Sequence, residues 1–184
     1  MSMKKIFAIL LLCLPMAVMA QPRPEDATDA TLAEKIIIIP HIAITSDVPD
    51  KAQPLLLDKM KQALLRQGVM DSSDRSRFIL TVRSNVLEEG MTETTPAKAF
   101  VKVTYSFYIG DVDSGILFSS KSLTRKGVGD DKDQAYLNAV KQIQPTDPAF
   151  KRLIEEAKIR IVETLKARED AGEFDKESYD INWW

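Results

Sequence analysis

The stretch that decides the fold is Val101-Lys102-Val103-Thr104-Tyr105-Ser106-Phe107-Tyr108-Ile109, followed by Gly110-Asp111-Val112-Asp113-Ser114-Gly115 and then Ile116-Leu117-Phe118. Val101, Val103, Tyr105, Phe107 and Ile109 alternate with Lys102, Thr104, Ser106 and Tyr108. A period of two puts the apolar side chains on one face of a strand and the polar ones on the other. Asp111 to Gly115 is rich in turn formers, so the chain is predicted to reverse into a further strand over Ile116 to Leu123.

Upstream, Phe78, Leu80, Val82 and Val86 share one face of a predicted strand, with Thr81, Arg83 and Asn85 on the other. Glu88 to Pro96 reads as a polar loop. Further back, the β-branched run Ile36 to Ile39 continues through Pro40-His41-Ile42-Ala43-Ile44 and predicts a strand covered on both faces, inside the sheet rather than at its edge. Between these strands, Leu56, Met60, Ala63 and Leu64 recur at helical spacing, with Asp50 and Gln53 as a capping pair and Gly68 as the stop. Downstream, Tyr136, Ala139, Val140 and Ile143 mark one helix opened by the acids Asp130 to Asp133. Asp147-Pro148 opens another, with Phe150, Leu153, Ile154, Ala157, Ile161 and Leu165 as its stripe. The predicted class is α/β (α+β): a single domain over residues 35–167, a mixed sheet, order β-α-β-β-β-α-α, with helices packed on the sheet. The all-apolar first strand requires helices on both faces, or a partner over one of them.

At the start of the chain, Lys4 and Lys5 lead into the apolar run Ile6 to Leu14, and Val18-Met19-Ala20 offers a signal-peptidase site. Residues 1–20 read as a signal peptide cleaved after Ala20, which sends the protein to the periplasm or beyond. The apolar run is about half the ~20 residues a bilayer span requires. Cys13 follows Leu10-Leu11-Leu12 without the small residues expected before an acylated cysteine, which argues against a lipoprotein signal. Cleavage removes the only cysteine, and with it disulfides, thiolate metal sites and cysteine nucleophiles. Residues 21–34 read as a flexible lead-in. The mature chain of 164 residues has 23 basic and 27 acidic side chains, a balance of −4 that argues against nucleic acid as a partner. No stretch after Ala20 is apolar for long enough to insert stably in a membrane.

Motifs that carry chemistry are sparse, and no cofactor or metal site is predicted. Gly127-Val128-Gly129 precedes a helix, but Asp130, Asp131 and Asp133 would repel a phosphate and the sequence completes no nucleotide fingerprint, so it reads as a turn and cap. Asp111, Asp113 and Gly115 begin like a calcium loop, yet Ser122 stands where the twelfth-position glutamate belongs, which leaves a hairpin turn. His41 is the only histidine, so a histidine base or metal ligand would rest on it alone. Its place at a strand end reads as structural. Glu88 with Glu89 and Glu155 with Glu156 are adjacent pairs rather than carboxylates across a cleft, and read as solvated.

The strand Val101 to Ile109, the turn Gly110 to Gly115, the strand Ile116-Leu117-Phe118 and the segment Lys126-Gly127-Val128-Gly129-Asp130-Asp131-Lys132-Asp133-Gln134-Ala135 together resemble a known group. They are similar to exported α/β domains such as the amino-terminal domain of TolB, the curli-secretion protein CsgG and the periplasmic activators of penicillin-binding proteins. The resemblance spans about Lys35 to Ile143. It implies a non-enzymatic part of an envelope assembly that docks on another envelope protein or packs beside copies of itself. The surfaces available for this are the Thr81, Arg83, Lys102 and Thr104 face of the sheet and the tail from Arg168 to Trp184, with six acids, two bases and the aromatics Phe174, Tyr179, Trp183 and Trp184. Either the tail orders on a partner, or its tryptophans fold back over the domain and cover the first strand. The alternative class is a small-ligand binding module, with a pocket between helix and sheet and the loop Glu88 to Pro96 as its lid.

Overall fold

In a computed structural model the described residues are 35–43, 47–70 and 75–171. Four strands, β1 (Ile38–Pro40), β2 (Phe78–Met91), β3 (Ala99–Asp111) and β4 (Leu117–Gly129), pair in that order, with α1 (Gln53–Arg66) between β1 and β2, and α2 (Lys132–Lys141) and α3 (Pro148–Asp170) after β4. β1 is parallel to β2, and the other pairs are antiparallel. The single α+β domain and its order match the sequence pattern.

Alternation in β3 is complete: Ala99, Val101, Val103, Tyr105, Phe107, Ile109 and Asp111 are buried, and every residue between them is half-buried. On the same face lie Phe78, Leu80 and Val82 of β2 and Ile38 of β1. The apolar stripes of the three helices cover this face, Phe150 meeting Phe107 at 4.7 Å and Tyr136 meeting Tyr105 at 5.9 Å between ring centroids. α1 touches both α2 and α3, so the helices form one layer. Among the described residues, each long strand therefore keeps one face free of helix.

Several expected boundaries shift. β1 lies at the sheet's edge, not inside it, and spans three residues. Its apolar run is used differently: Ile36 and Ile38 are buried under the helices, while Ile37 and Ile39 are only half-buried on the other side. Pro40 suits this edge, because His41 N donates inward to Leu80 O at 2.8 Å and the neighbouring position, which points outward, has no N–H to satisfy. β2 continues to Met91 where a loop over Glu88 to Pro96 was expected, and a bulge between Val86 and Glu88 re-phases the residues that follow; Val86 keeps the phase of Phe78, Leu80 and Val82, opposite Val103, but is exposed near the strand's end. β4 runs on to Gly129, so Gly127-Val128-Gly129 is strand rather than turn, and the cap is Asp131, which accepts from Gln134 N at 2.7 Å.

Asp50 does not cap α1. A turn precedes the helix, Ala52 N donating to Pro49 O, and Asp50 instead accepts from the Gln53 side chain at 3.1 Å. Gly68, at φ +64°, ends it as read: Gly68 N donates to Leu65 O and Val69 N to Leu64 O, the paired bonds of a Schellman motif with Leu64 and Val69 both buried. Asp147 caps α3 through Ala149 N at 2.9 Å and also receives Arg125 Nη2 at 2.6 Å. α3 reaches Asp170, so residues 168–170, expected in the tail, belong to the helix.

Candidate functional site

Among the described residues, the surface free of helices is the outer face of the sheet. Ile79, Thr81, Arg83 and Asn85 of β2, Phe100, Lys102, Thr104, Ser106 and Tyr108 of β3, and Ser120, Ser122, Thr124, Lys126 and Val128 of β4 share it by register. Its middle is a hydroxyl ladder, with Thr104 and Thr124 joined at 2.9 Å and Ser106 and Ser122 at 2.9 Å. Such cross-strand pairs hold neighbouring strands in register while leaving the hydroxyls' remaining lone pairs to solvent or a partner.

Basic groups flank the ladder. Arg83 is exposed, its guanidinium 3.8 Å from Asp47. Lys102 lies 3.5 Å from Glu88 across the β2–β3 pair, and Lys126 Nζ sits 4.6 Å from the centre of the Phe100 ring. Solvent-exposed pairs of this kind add little stability but orient the charges. Arg83 pairs in register with Ser106, four residues along β3 from Lys102, a separation of ~13 Å at strand rise. The structure thus brings Arg83, Lys102, Thr81 and Thr104 to one face without joining them into a single cluster. Phe174, Tyr179, Trp183 and Trp184 lie outside the described residues.

Part of each sheet edge is blocked to strand addition, while β2 beyond Leu80 pairs, among the described residues, only with β3. The carbonyls of Phe118, Thr124, Lys126 and Val128 on β4 accept from Arg160, Arg125, Gln142 and Asn138 side chains at 2.6–2.9 Å. On β1, Ile38 N donates to Val69 O at 2.7 Å, and Pro40 has no donor. Unpaired edge groups are what recruit a further strand, and these bonds block that route at β1 and along part of β4. Sequence reading missed Asn138, Gln142 and Arg160. Their spacing on α2 and α3 marks a polar helix side, but only the fold shows that this side overhangs a strand edge.

Beyond the tip of the β2–β3 hairpin lies a cavity of about 350 Å³, lined by Glu89, Gly90, Met91, Ala99, Phe100 and Asp130 to Lys132. Lys132 reaches Glu89 at 2.6 Å and Lys98 reaches Asp130 at 3.4 Å, so two of its carboxylates are already paired. The expected lid is partly strand, since Glu88 to Met91 belongs to β2.

The strongly perturbed groups lie elsewhere. Burial, reinforced by the neighbouring Tyr136, pushes the Tyr105 hydroxyl far up, and burial raises that of Tyr136. Both are less ready to ionise than a free tyrosine, and both are buried in the core. Asp111 is opposed by burial, yet hydrogen bonds from Arg77, Ser114 Oγ and Asp113 N hold its carboxyl below the usual range. It is the anchor of a hairpin turn, as the turn reading of Asp111 to Gly115 requires. His41 is exposed and joins the sheet through its backbone. Among the described residues no group of three or more His, Cys, Asp or Glu side chains is placed to hold a metal ion, and no helix is long and apolar enough to cross a membrane.

Fold and surface together define a two-layer α+β domain with a hydroxyl-rich, basic sheet face that no described residue covers. No family model and no curated protein matches the chain. Among solved structures it is similar to the minor lipoprotein from Acinetobacter baumannii, at 16% identity over 72% of this chain and 93% of that one, TM-score 0.34. It is also similar to the PelC dodecamer from Paraburkholderia phytofirmans, at 21% identity over 60% and 85%, TM-score 0.35. A third likeness is to protein XCC0632 from Xanthomonas campestris, at 14% identity over 72% and 87%, TM-score 0.36.

Proposed function

We propose that this chain is an exported envelope protein that acts by docking another protein on the open face of its sheet, without catalysing a reaction. The observation that carries this reading is the one-sided helix layer, which among the described residues leaves the Thr81, Arg83, Lys102 and Thr104 face uncovered. The resemblance to TolB-like and CsgG-like exported domains supports it. A photo-crosslinking amino acid at Ser106 or Ser122, in the full chain expressed in its own envelope, is expected to give a discrete hetero-adduct on irradiation. The same probe at Glu163, exposed on α3, is expected to give none. Adducts from Glu163 and none from the sheet would overturn the reading.

Export is tested on the same material. The mature protein is expected to begin at Gln21 with no added acyl mass, and a chain beginning at Cys13 and carrying lipid would replace the soluble form with an anchored one. The second reading, a small-ligand module, is favoured by the hairpin-tip cavity, whose volume lies in the range of small-molecule sites. A ligand of that cavity would raise the melting temperature in a thermal-shift screen, and Phe100→Ala would abolish the rise.

A further inference from the structure

We propose that the carboxy-terminal segment 172–184 docks on the open sheet face of its own chain and is that face's resident occupant in the free protein. The proposal uses the face on which the docking reading rests, but its test involves no partner, so either can fail without the other.

Chain path and length permit it. α3 starts with Asp147 bonded to Arg125, passes Ser119, whose Oγ donates to Leu153 O at 2.7 Å, and brings Arg160 to Phe118 O at 2.8 Å. The helix therefore leaves the sheet at the end that carries the β3–β4 turn. Thirteen residues follow Ala171. Extended at ~3.3 Å per residue they reach ~43 Å, enough to round the sheet's end from the helix layer, ~10 Å away, and to lie along most of β3.

Charge selects the face. The segment carries Glu173, Asp175, Glu177 and Asp180 against Lys176 alone, whereas the face carries Arg83, Lys102 and Lys126 against Glu88 and, beside Arg83, Asp47. In a protein whose overall balance is acidic, this basic surface is the opposite of its surroundings and complementary to its own terminus. Apolar area points the same way. At the near end of the face Ile79 and Tyr108 are half-buried and Leu117 is 54% exposed, and at the far end stands Phe100. Those are apolar supports for Phe174, Tyr179, Trp183 and Trp184, aromatics that gain most from leaving water. Side chains already occupy four carbonyls of the β4 edge, so packing across the face is favoured over strand addition there.

Trp183 and Trp184 are the only tryptophans, so the chain's tryptophan emission reports this segment alone. In the mature chain, residues 21–184, emission is expected to be blue-shifted and acrylamide quenching about threefold weaker than in urea, because docked indoles leave water. Arg83→Glu with Lys102→Glu and Lys126→Glu is expected to bring quenching to the urea value while far-UV circular dichroism stays native, and Lys61→Glu on the exposed side of α1 is expected to change nothing. Lys126→Glu alone, and added salt on the unmodified chain, give the same readout in smaller steps without three substitutions on the sheet. Quenching equal to that in urea would overturn the proposal by showing an undocked segment. Protection that survives the charge reversals would overturn it by placing the tryptophans on another surface, and protection that falls on dilution by placing them on a second copy.

Discussion

Gly127→Ala is expected to lower the stability of the domain by about 3 kcal/mol, and Gly127→Val to prevent folding. A Cβ at Gly127 would lie 1.9 Å from Ala135 O and 2.5 Å from Ala139 N. Both are backbone atoms of α2, so no side-chain rotation relieves the clash. The helix would have to lift from β4, drawing Tyr136, Ala139 and Val140 out of the core they share with Tyr105. Gly129 repeats the condition one step on, 2.5 Å from Ala135 N. Gly68→Ala is the control: its position has nothing within 4 Å and only the left-handed φ of +64° to oppose a side chain, so about 1 kcal/mol is expected. Urea titration separates the two, with the midpoint falling about three times as far for Gly127→Ala. Equal losses would show that α2 is not seated on the strand through this glycine.

This glycine shows where sequence reading stops. Gly127-Val128-Gly129 was legible as punctuation before a helix, because glycine next to acids and a helical stripe has few other uses. Whether the punctuation served a turn or a close approach depended on α2 lying across β4, a contact between elements that no local pattern encodes. The same limit applies to β1. Four β-branched residues in a row predict burial, and Ile36 and Ile38 are indeed buried, but the run does not say whether its second neighbour is a strand or nothing. Alternation in β3 was decisive because it repeats over the whole strand and because both neighbours in the sheet share its phase. The bulge at Val86 was hidden, since one extra residue inverts the faces downstream and Glu88-Glu89 then looks like loop composition.

For the candidate site, the sequence supplied residue types and half the geometry. Thr81 and Arg83, and likewise Lys102 and Thr104, were readable as wet-face partners within their own strands from the period of two. That the two strands present the same wet face, and that all three helices leave it bare, required the β2–β3 register and the helix layer. Edge protection was invisible for the same reason. Asn138 and Gln142 are four apart on a helix and look like ordinary solvated positions until β4 is placed beneath them.

Arg77→Met is expected to cost about 3 kcal/mol near pH 7, through the carboxylate it would strand. Asp111 is 4% exposed, and its Oδ2 accepts from Arg77 and from Ser114 Oγ while Oδ1 accepts from Asp113 N. The pair ties the start of β2 to the end of β3, reinforced by Val112 N donating to Arg77 O at 2.9 Å, and so holds the turn end of the sheet. Removing the guanidinium leaves a buried charge with three weaker donors, Ser114 Oγ and the backbone N–H groups of Asp113 and Ser114. The pH dependence identifies this cause. The Asp111 carboxyl is held below its ordinary value in the folded chain, whereas in the unfolded chain it titrates near ~3.9. As pH falls the unfolded state binds the proton first, so the pair's contribution, present in full above the unfolded pKa, is lost as pH drops through the folded one. Other carboxylates shift in both proteins and cancel in the difference between wild type and variant. The gap in unfolding free energy between wild type and Arg77→Met is therefore expected to be largest near pH 7 and to narrow as pH falls, from the point where the stranded carboxyl of the variant takes up its proton down through the lowered wild-type value, and Asp111→Asn should remove that narrowing. A gap independent of pH would mean that Arg77 acts through packing on the Phe78 ring, 5.5 Å from its guanidinium carbon, and not through Asp111.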